Sequence, residues 1–495
     1  MFGFPLWIVA THFVNVFLML LLARSGLEVL SAFPKFYWSD HCPPGLEWLR
    51  FTKKVFAADS RKPWSSLDEE ESWSPILALP GKKNLGLGRH WHFFSIQLWI
   101  INGLVFVGLL VATGYWRTIV PTTWSLFPNA VRAVGTYLQF QLAGPQPGLP
   151  FNAAQQLTYF LLIFVLAPLQ IATGAAMSPA IIARFPWYAR LFGGKQGARS
   201  LHFLGLCAFA AFVLVHTAMV VIHGVPHEFA AIVLGSYRAN PTLALAVGLL
   251  GIAALLAFNA VVTVLTLKYK RQAQIFLGFV VDPFERVLVK TFTSRERFTQ
   301  RDISPFHRVN GYPPPDPHYK QLSQNGFADF RLEIGGLVEN PQSLSLAELR
   351  DLGWQSQITK HNCIQGWTAT AKWSGVPLSA IVELVRPAPN ARHVVFFAFD
   401  DKTITENEGR YGYFYGSVPL FLARNPQTIL ALEMNDEPLP VEHGAPVRVR
   451  FETQLGFKMV KWIKAIEFVE DYRAIGQGQG GWREDQQYYA NAAGI

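Results

Sequence analysis

Five long apolar runs, all before Lys268, constrain this chain more than anything else in its sequence. They cover approximately 5–30, 91–113, 156–176, 201–222 and 241–267. Each is long enough to span a bilayer, which takes about 20 helical residues. In hydrocarbon every backbone polar group must be bonded within its own segment, so an all-α bundle of five transmembrane helices is expected over 1–270. The first run has no basic segment before it and no clear small-residue cleavage site after it. No twin-arginine signal is visible there either, so the run is read as a retained helix.

Beyond Lys268 the pattern changes. A basic exit (Lys268, Lys270, Arg271) leads into a linker over 271–304, and Pro313, Pro314 and Pro315 follow shortly after it. Apolar residues then alternate with polar ones in Phe330 to Ile334, His393 to Phe399 and Val447 to Phe451. Short helical segments near 345–352 and 377–386 separate these runs, so an α+β domain in which strands prevail is expected over 305–472, with a tail over 473–495. A chain of 495 residues exceeds what one hydrophobic core usually serves, which agrees with this division.

The net charge of +9 has a topological explanation. If the first helix starts on side A of the membrane, the segments on side B (31–89, 177–200 and 268–271) hold sixteen Lys and Arg. Side A holds only Arg117, Arg132 and Arg238. The positive-inside rule makes B cytoplasmic, and the C-terminal domain emerges on B, so it too is expected in the cytoplasm, on a bacterial inner membrane. No aromatic-basic stripe or DNA-binding signature accompanies the charge, so a nucleic-acid partner is not expected.

Histidines inside spanning helices are costly and therefore informative. His202 and His216 are fourteen residues apart on the fourth run. That is about 3.9 turns, so both rings project from nearly one face, about 21 Å apart along the axis. Topology places His12 with His216 near side A, and His92 with His202 near side B. Two bis-histidine pairs at two depths suit two haems b. A lone intramembrane histidine is as often a hydrogen bond between helices; four at matched depths argue for ligands. His90 competes with His92 for one position, while His223 and His227 lie at or beyond a helix end.

Cys42, Cys207 and Cys363 form no CxxC pair and no disulfide framework. Cys207 lies in an apolar run and reads as packing. Cys363 stands among Lys360, His361, Asn362, Gln365, Gly366 and Trp367. Such surroundings suit a metal-binding thiolate or a nucleophile, and a small buried hydrophobe is the plain alternative.

Two resemblances narrow these readings. The run Arg89-His90-Trp91-His92-Phe93-Phe94 and the His202/His216 spacing, within roughly 1–225, resemble the cytochrome b subunits of formate dehydrogenases, hydrogenases and thiosulfate-reductase-like proteins. That resemblance implies two haems b, exchange of electrons with quinone or quinol, and His92 as the ligand rather than His90. Over about 305–472, five runs occur in order: Phe306-His307-Arg308-Val309-Asn310, His361-Asn362-Cys363, Tyr415 to Leu420, His443 to Arg448 and Gly456 to Trp462. Together they resemble the sulfite oxidase family, including bacterial methionine-sulfoxide reductase catalytic subunits. This second resemblance implies Cys363 as a molybdenum ligand beside a molybdopterin dithiolene. It also implies that His307, Arg308, Asn310, His443, Arg448, Met459, Val460 and Lys461 hold the pterin and its phosphate. The tail Trp482 to Tyr489 resembles the segment bearing an active-site tyrosine, leaving Tyr488 and Tyr489 as candidates.

The chain departs from the sulfite-oxidising pattern in two places. Thr368 stands where animal sulfite oxidases carry an arginine five residues after the cysteine, and Val309 replaces the arginine before the first-motif asparagine. Lys360 or Lys372 are the replacement cations to examine. The expected activity is a membrane-bound, molybdenum-dependent exchange of electrons with quinone, reducing an S-oxide or N-oxide or oxidising a small sulfite-like sulfur compound. A membrane electron carrier or sensor with a non-catalytic molybdopterin domain is the alternative. A transporter lacks any sign of discontinuous binding helices. Homo-oligomerisation is left open.

Overall fold

The structure is a computed structural model that describes residues 3–56, 64–149, 151–289, 293–401, 413–491 and 493. Five helices in it are long and apolar enough to cross a membrane: Leu6–Ser31, Leu85–Ala112, Ala153–Ala175, Gly194–His223 and Pro241–Lys268. The second and fourth begin several residues before their apolar runs. Those early turns are rich in glycine and polar residues, and Gly86, Gly88, Lys195, Gln196 and Gly197 are buried there against other parts of the chain. A Cβ on Gly86 would collide with the backbone of Gln487 and Tyr488, so the absent side chain lets the C-terminal tail lie on the helix.

The third helix contains a π-turn at Leu162–Leu166. Pro168 follows it and offers no backbone N–H, which leaves upstream carbonyls to find wider-spaced donors. Arg24 ties the first helix to the fifth by donating to Asn259 Oδ1 at 3.0 Å and Thr263 Oγ1 at 2.9 Å.

The stretch expected as a linker over 271–304 is largely a helix, Lys270–Val289. Leu277 and Val281 are buried, one helical turn apart. Leu277 joins a cluster with Leu21, Leu79 and Trp91 of the bundle. Its apolar stripe is too narrow and its ends too polar for a hydropathy scan to separate it from a loop.

The connector between the first two spanning helices carries a small hairpin, β1 (Lys35–Phe36) with β2 (Leu49–Arg50). Ten further strands build the soluble half: β3 (Arg331–Gly336), β4 (Gln342–Ser345), β5 (Gln355–Asn362), β6 (Thr368–Pro377), β7 (His393–Asp401), β8 (Tyr413–Pro419), β9 (Ile429–Met434), β10 (Glu437–Pro438), β11 (Arg448–Arg450) and β12 (Ile463–Val469). One sheet runs β10-β9-β6-β5 with β11 also paired to β9, and the other runs β4-β3-β12-β7-β8. The β3–β12 pair is parallel; the remaining pairs are antiparallel. One core unites both sheets, with Trp373, Val394, Phe396, Leu430, Val449 and Ile466 at its centre.

A second cluster matters more for function, because both halves contribute to it. Ala32, Phe33, Tyr37, Cys42 and Leu85 from the membrane half pack against Cys363, Ile364, Trp367, Leu455 and Tyr489. The soluble half is therefore docked onto side B of the bundle, with Cys363 inside the seam.

Candidate functional site

The four expected histidines meet in the expected pairs. The His12 and His216 ring centroids are 6.4 Å apart, and those of His92 and His202 are also 6.4 Å apart. An imidazole nitrogen lies about 2.0–2.1 Å from a first-row metal such as zinc and roughly 1 Å from its ring centre, so a metal between two facing imidazoles separates the centroids by about 6 Å. Both pairs would leave room for a haem iron held between the two rings. Nδ1 of His92 faces Ser25 Oγ at 3.2 Å, and Nδ1 of His202 faces Thr173 Oγ1 at 3.0 Å. A hydroxyl on Nδ1 fixes the ring and leaves Nε2 for a metal. His12 Nδ1 has no such partner. His90 turns away and bonds Gly86 O at 2.8 Å, and His223 bonds Met219 O at 2.8 Å.

Cys363 sits at the end of β5, in a tight turn closed by Gly366 N to Cys363 O and Cys363 N to Trp367 O, both 3.1 Å. Its sulfur lies 3.5 Å from Asn310 Nδ2 and 3.5 Å from Gln365 Oε1. Burial pushes the thiol up to about 11, against the pull of Gln365, Asn310, Arg483 and Lys195. Lys195, in the first turn of the fourth helix, donates to Asn362 Oδ1 at 3.2 Å. Gln196 Nε2 donates to Gly366 O at 2.8 Å and to Thr368 Oγ1 at 3.1 Å. The helix that carries His202 thus begins against the loop that carries Cys363.

Deeper in the soluble half lies a buried basic nest. The His307 ring is 5.1 Å from His443, 5.5 Å from His361 and 5.6 Å from Trp373. Arg448 and Arg450 hold their guanidinium carbons 4.7 Å and 4.6 Å from the Trp373 ring centre. Burial lowers His443 to about 3 and drives His307 and His361 well below the usual histidine range, with neighbouring cations adding to it. Burial, then Arg450 beside it, likewise weakens Arg448's hold on its proton.

Among the described residues, His307 Nε2, Arg448 Nε and Trp373 Nε1 in this nest are buried without a hydrogen-bond partner. Buried polar atoms are rarely left so, and a nest of donors short of anionic charge fits a polar ligand bearing a phosphate. The residues present therefore fit molybdopterin.

The remaining candidates divide. Lys461 Nζ donates to Asn310 O at 2.6 Å and Glu442 O at 2.8 Å, closing the first motif onto the His443 turn. Met459 Sδ accepts from Arg450 at 2.9 Å, and Val460 is buried, its carbonyl bonded by Val449 N at 3.0 Å. Arg308 does not enter the nest. It donates to Glu69 Oε2 at 2.8 Å, Tyr37 OH at 3.0 Å and Cys42 O at 3.1 Å, all on the connector of the membrane half. Lys360 is spent on Asp40 and Glu296, and Lys372 on Asp436. Tyr489 is buried in the Cys363 cluster, whereas Tyr488 has a φ of +59° and lies under Arg271, 4.9 Å from its ring centre.

His361, although part of its motif, and Arg450 were given no role from sequence, yet a strand-period signal existed for both. His361 is two residues before Cys363, and Arg450 two after Arg448, so each shares a strand face with a residue that was given one.

Residues 3–235 match the family model for prokaryotic cytochrome b561, and residues 319–474 match that for the oxidoreductase molybdopterin binding domain. A provisionally named protein-methionine-sulfoxide reductase subunit, YedZ1 of Azospira oryzae, is 37% identical over 161 residues, covering 32% of this chain and 55% of that protein. The protein-methionine-sulfoxide reductase catalytic subunit MsrP of Xanthomonas axonopodis is 32% identical over 148 residues, covering 28% and 44%. The chain thus spans about half the length of the curated relatives it matches. Among solved structures, the sulfane dehydrogenase SoxCD of Paracoccus pantotrophus is similar at 21% identity and a TM-score of 0.26, over 31% of this chain and 45% of that one, a likeness too slight to argue from. With five membrane-length helices before a strand-rich half, the chain joins a prokaryotic cytochrome b561 domain to an oxidoreductase molybdopterin binding domain.

Proposed function

We propose that this protein is a membrane-bound molybdenum oxidoreductase that draws electrons from a quinol, passes them through two b haems, and reduces an S-oxide or N-oxide. The carrying observation is the seam itself: Lys195 and Gln196 bond the Cys363 loop from the helix that bears His202. Such contact suits direct electron delivery inside one chain. His12 with His216 and His92 with His202 are the haem ligands of this reading. His307, His443, Arg448 and Lys461, joined by His361 and Arg450, hold the pterin and its phosphate.

Bound molybdenum supplies two-electron oxygen-atom chemistry, and the haems supply single-electron steps. The overall reaction balances as sulfoxide plus quinol giving sulfide, quinone and water. The S–O bond breaks, the oxygen leaves with two protons as water, and the quinol's two electrons reduce the sulfur. Within the chain, Cys363 serves as a metal-binding thiolate, with Asn310 Nδ2 placed to donate to its sulfur at 3.5 Å. Burial raises the Tyr489 hydroxyl well above its usual range, so it keeps its proton beside the cysteine and is the group to donate it.

The direction rests on charge. Thr368, at the position of the sulfite-type arginine, bonds Asp40 O at 2.6 Å, and both replacement lysines are neutralised by carboxylates. A neutral oxide suits such a pocket better than sulfite. The charge asymmetry of the loops supports a cytoplasmic molybdenum domain on a bacterial inner membrane.

The reading is tested by metal analysis and a reduced-minus-oxidised spectrum on detergent-purified protein. Two b haems and one molybdenum per chain, with turnover of dimethyl sulfoxide or trimethylamine oxide by a quinol analogue, are expected. Haem without molybdenum, from a host that makes the cofactor, would leave only an electron carrier.

A further inference from the structure

We propose that the helix Lys270–Val289 is seated in the side-B leaflet with its outer face against acyl chains, and that this seat holds the tail bearing Tyr489 in place. Neither half of this depends on which substrate the protein turns over.

The helix has two unlike sides. At about 100° per residue, Gln274, Leu277 and Val281 fall together, and Ile275, Phe276 and Phe279 fall opposite them. The first three are buried. The second three are 64%, 65% and 84% exposed. Large apolar side chains grouped on an exposed face mark a surface that meets something other than water.

Depth decides what that is. The Phe276 ring lies 6.0 Å from Phe94, and Leu277 packs with Leu21 and Trp91, with Phe17 and Val262 beside them. Those partners belong to three spanning helices, Leu6–Ser31, Leu85–Ala112 and Pro241–Lys268, and all lie within their apolar runs. The outer face of the helix is therefore continuous with the lipid-facing surface of the bundle. A helix of this kind sinks its apolar face about 5–10 Å into the boundary between headgroups and acyl chains. Lys268 just before it and Arg286 near its end are exposed, with the reach to keep their charges at the headgroups.

Between these two sides the helix binds the tail. Arg271 donates to Glu484 O at 3.2 Å and Asp485 O at 2.5 Å, and Gln274 Nε2 donates to Tyr489 O at 3.1 Å. Tyr489 in turn packs in the cluster that contains Cys363. Lys458 of the soluble half holds the Glu484 side chain at 2.5 Å, so the tail bridges that half and the membrane helix. Arg271 and Gln274 share their turns with Ile275 and Phe279, so a helix lifted off the bilayer takes its donors away from the tail backbone.

The experiment uses the full chain with its cofactors in phosphatidylcholine nanodiscs. A fluorophore is attached at Phe279→Cys in a Cys207→Ser background, because Cys42 and Cys363 are buried and Cys207 is exposed. The reference label is at Ala347→Cys, exposed in the helix Leu346–Asp351 beside β4, at the sheet edge remote from β8 and the tail. Lipid carrying a nitroxide near the top of its acyl chain should quench the Phe279→Cys label about threefold more than the reference. Equal quenching would overturn the seat and give the outer face to protein, a second copy included. The hold on the tail is read by hydrogen exchange in Ile275→Glu with Phe279→Glu, and in Gln274→Ala, which leaves the outer face intact. Backbone amides from Arg483 to Tyr489 should exchange about tenfold faster in both, with the five spanning helices still protected. Native exchange rates there in both variants would overturn the hold.

Discussion

The two histidine pairs share one ring separation and differ in nearly everything around it. On side B, His92 and His202 each have a hydroxyl on Nδ1, and the soluble half is docked over them. On side A, His12 Nδ1 has no hydrogen-bond partner among the described residues, and His216 stacks on Phe212 at 5.2 Å. Ring separation is set by helix packing alike at both ends. What the B end adds is a fixed orientation of both rings and a polar connection to the Cys363 loop, which suits the end proposed to deliver electrons.

The largest expected effect separates the ends by function. His202→Ala should lose the B haem and abolish quinol-driven turnover, while viologen-driven turnover at molybdenum survives. His216→Ala should lose the A haem and leave the B haem spectrum in place. Equal loss of both haems in each variant would mean that the ends are not independent.

Next comes the docking at the B end. Glu69 pairs with both Lys35 and Arg308 in the buried seam, so Glu69→Ala strands two buried cations, and removing one member of a buried ion pair costs about 3–5 kcal/mol. Thermal unfolding of the soluble half should fall accordingly, with the A haem spectrum unmoved. A change under about 1 kcal/mol would show the triad to be solvated in solution.

A smaller effect tests the hydroxyls. Ser25→Ala with Thr173→Ala should weaken haem retention about 10–100-fold, the usual consequence of losing groups that orient a metal ligand. Only the B haem should be affected; titrating haem back into the stripped protein measures this. Smallest is His90→Ala, which should retain both haems, because that ring bonds its own helix at Gly86 O. Loss of a haem would show that His90, not His92, is the ligand.

These regions also differ in how far the sequence exposes them. Helical arithmetic carries the histidine pairs, because fourteen residues bring His202 and His216 to one face whatever the loops do. The sulfite oxidase-like motifs likewise locate Cys363 and the nest of His307, His443 and Arg448. The Glu69–Arg308 pairing was invisible: residues 64–71 have no periodicity, and their charges read as an ordinary loop until Arg308 is found paired across 239 positions of sequence. Arg308 was accordingly expected at the pterin. The helix Lys270–Val289 was expected as a linker because its apolar stripe is brief. Tyr488 and Tyr489 were indistinguishable in sequence; a left-handed backbone at Tyr488 turns Tyr489 into the seam.

One chain is proposed to carry electrons from haem to a molybdenum site at Cys363. The direct measurement is stopped-flow absorbance of the reduced b haems in purified full-length protein mixed with dimethyl sulfoxide. Prompt reoxidation in the native protein, and haems that stay reduced in Cys363→Ser, are the predicted result. Haems that stay reduced in both proteins, or reoxidise equally in both, would contradict it.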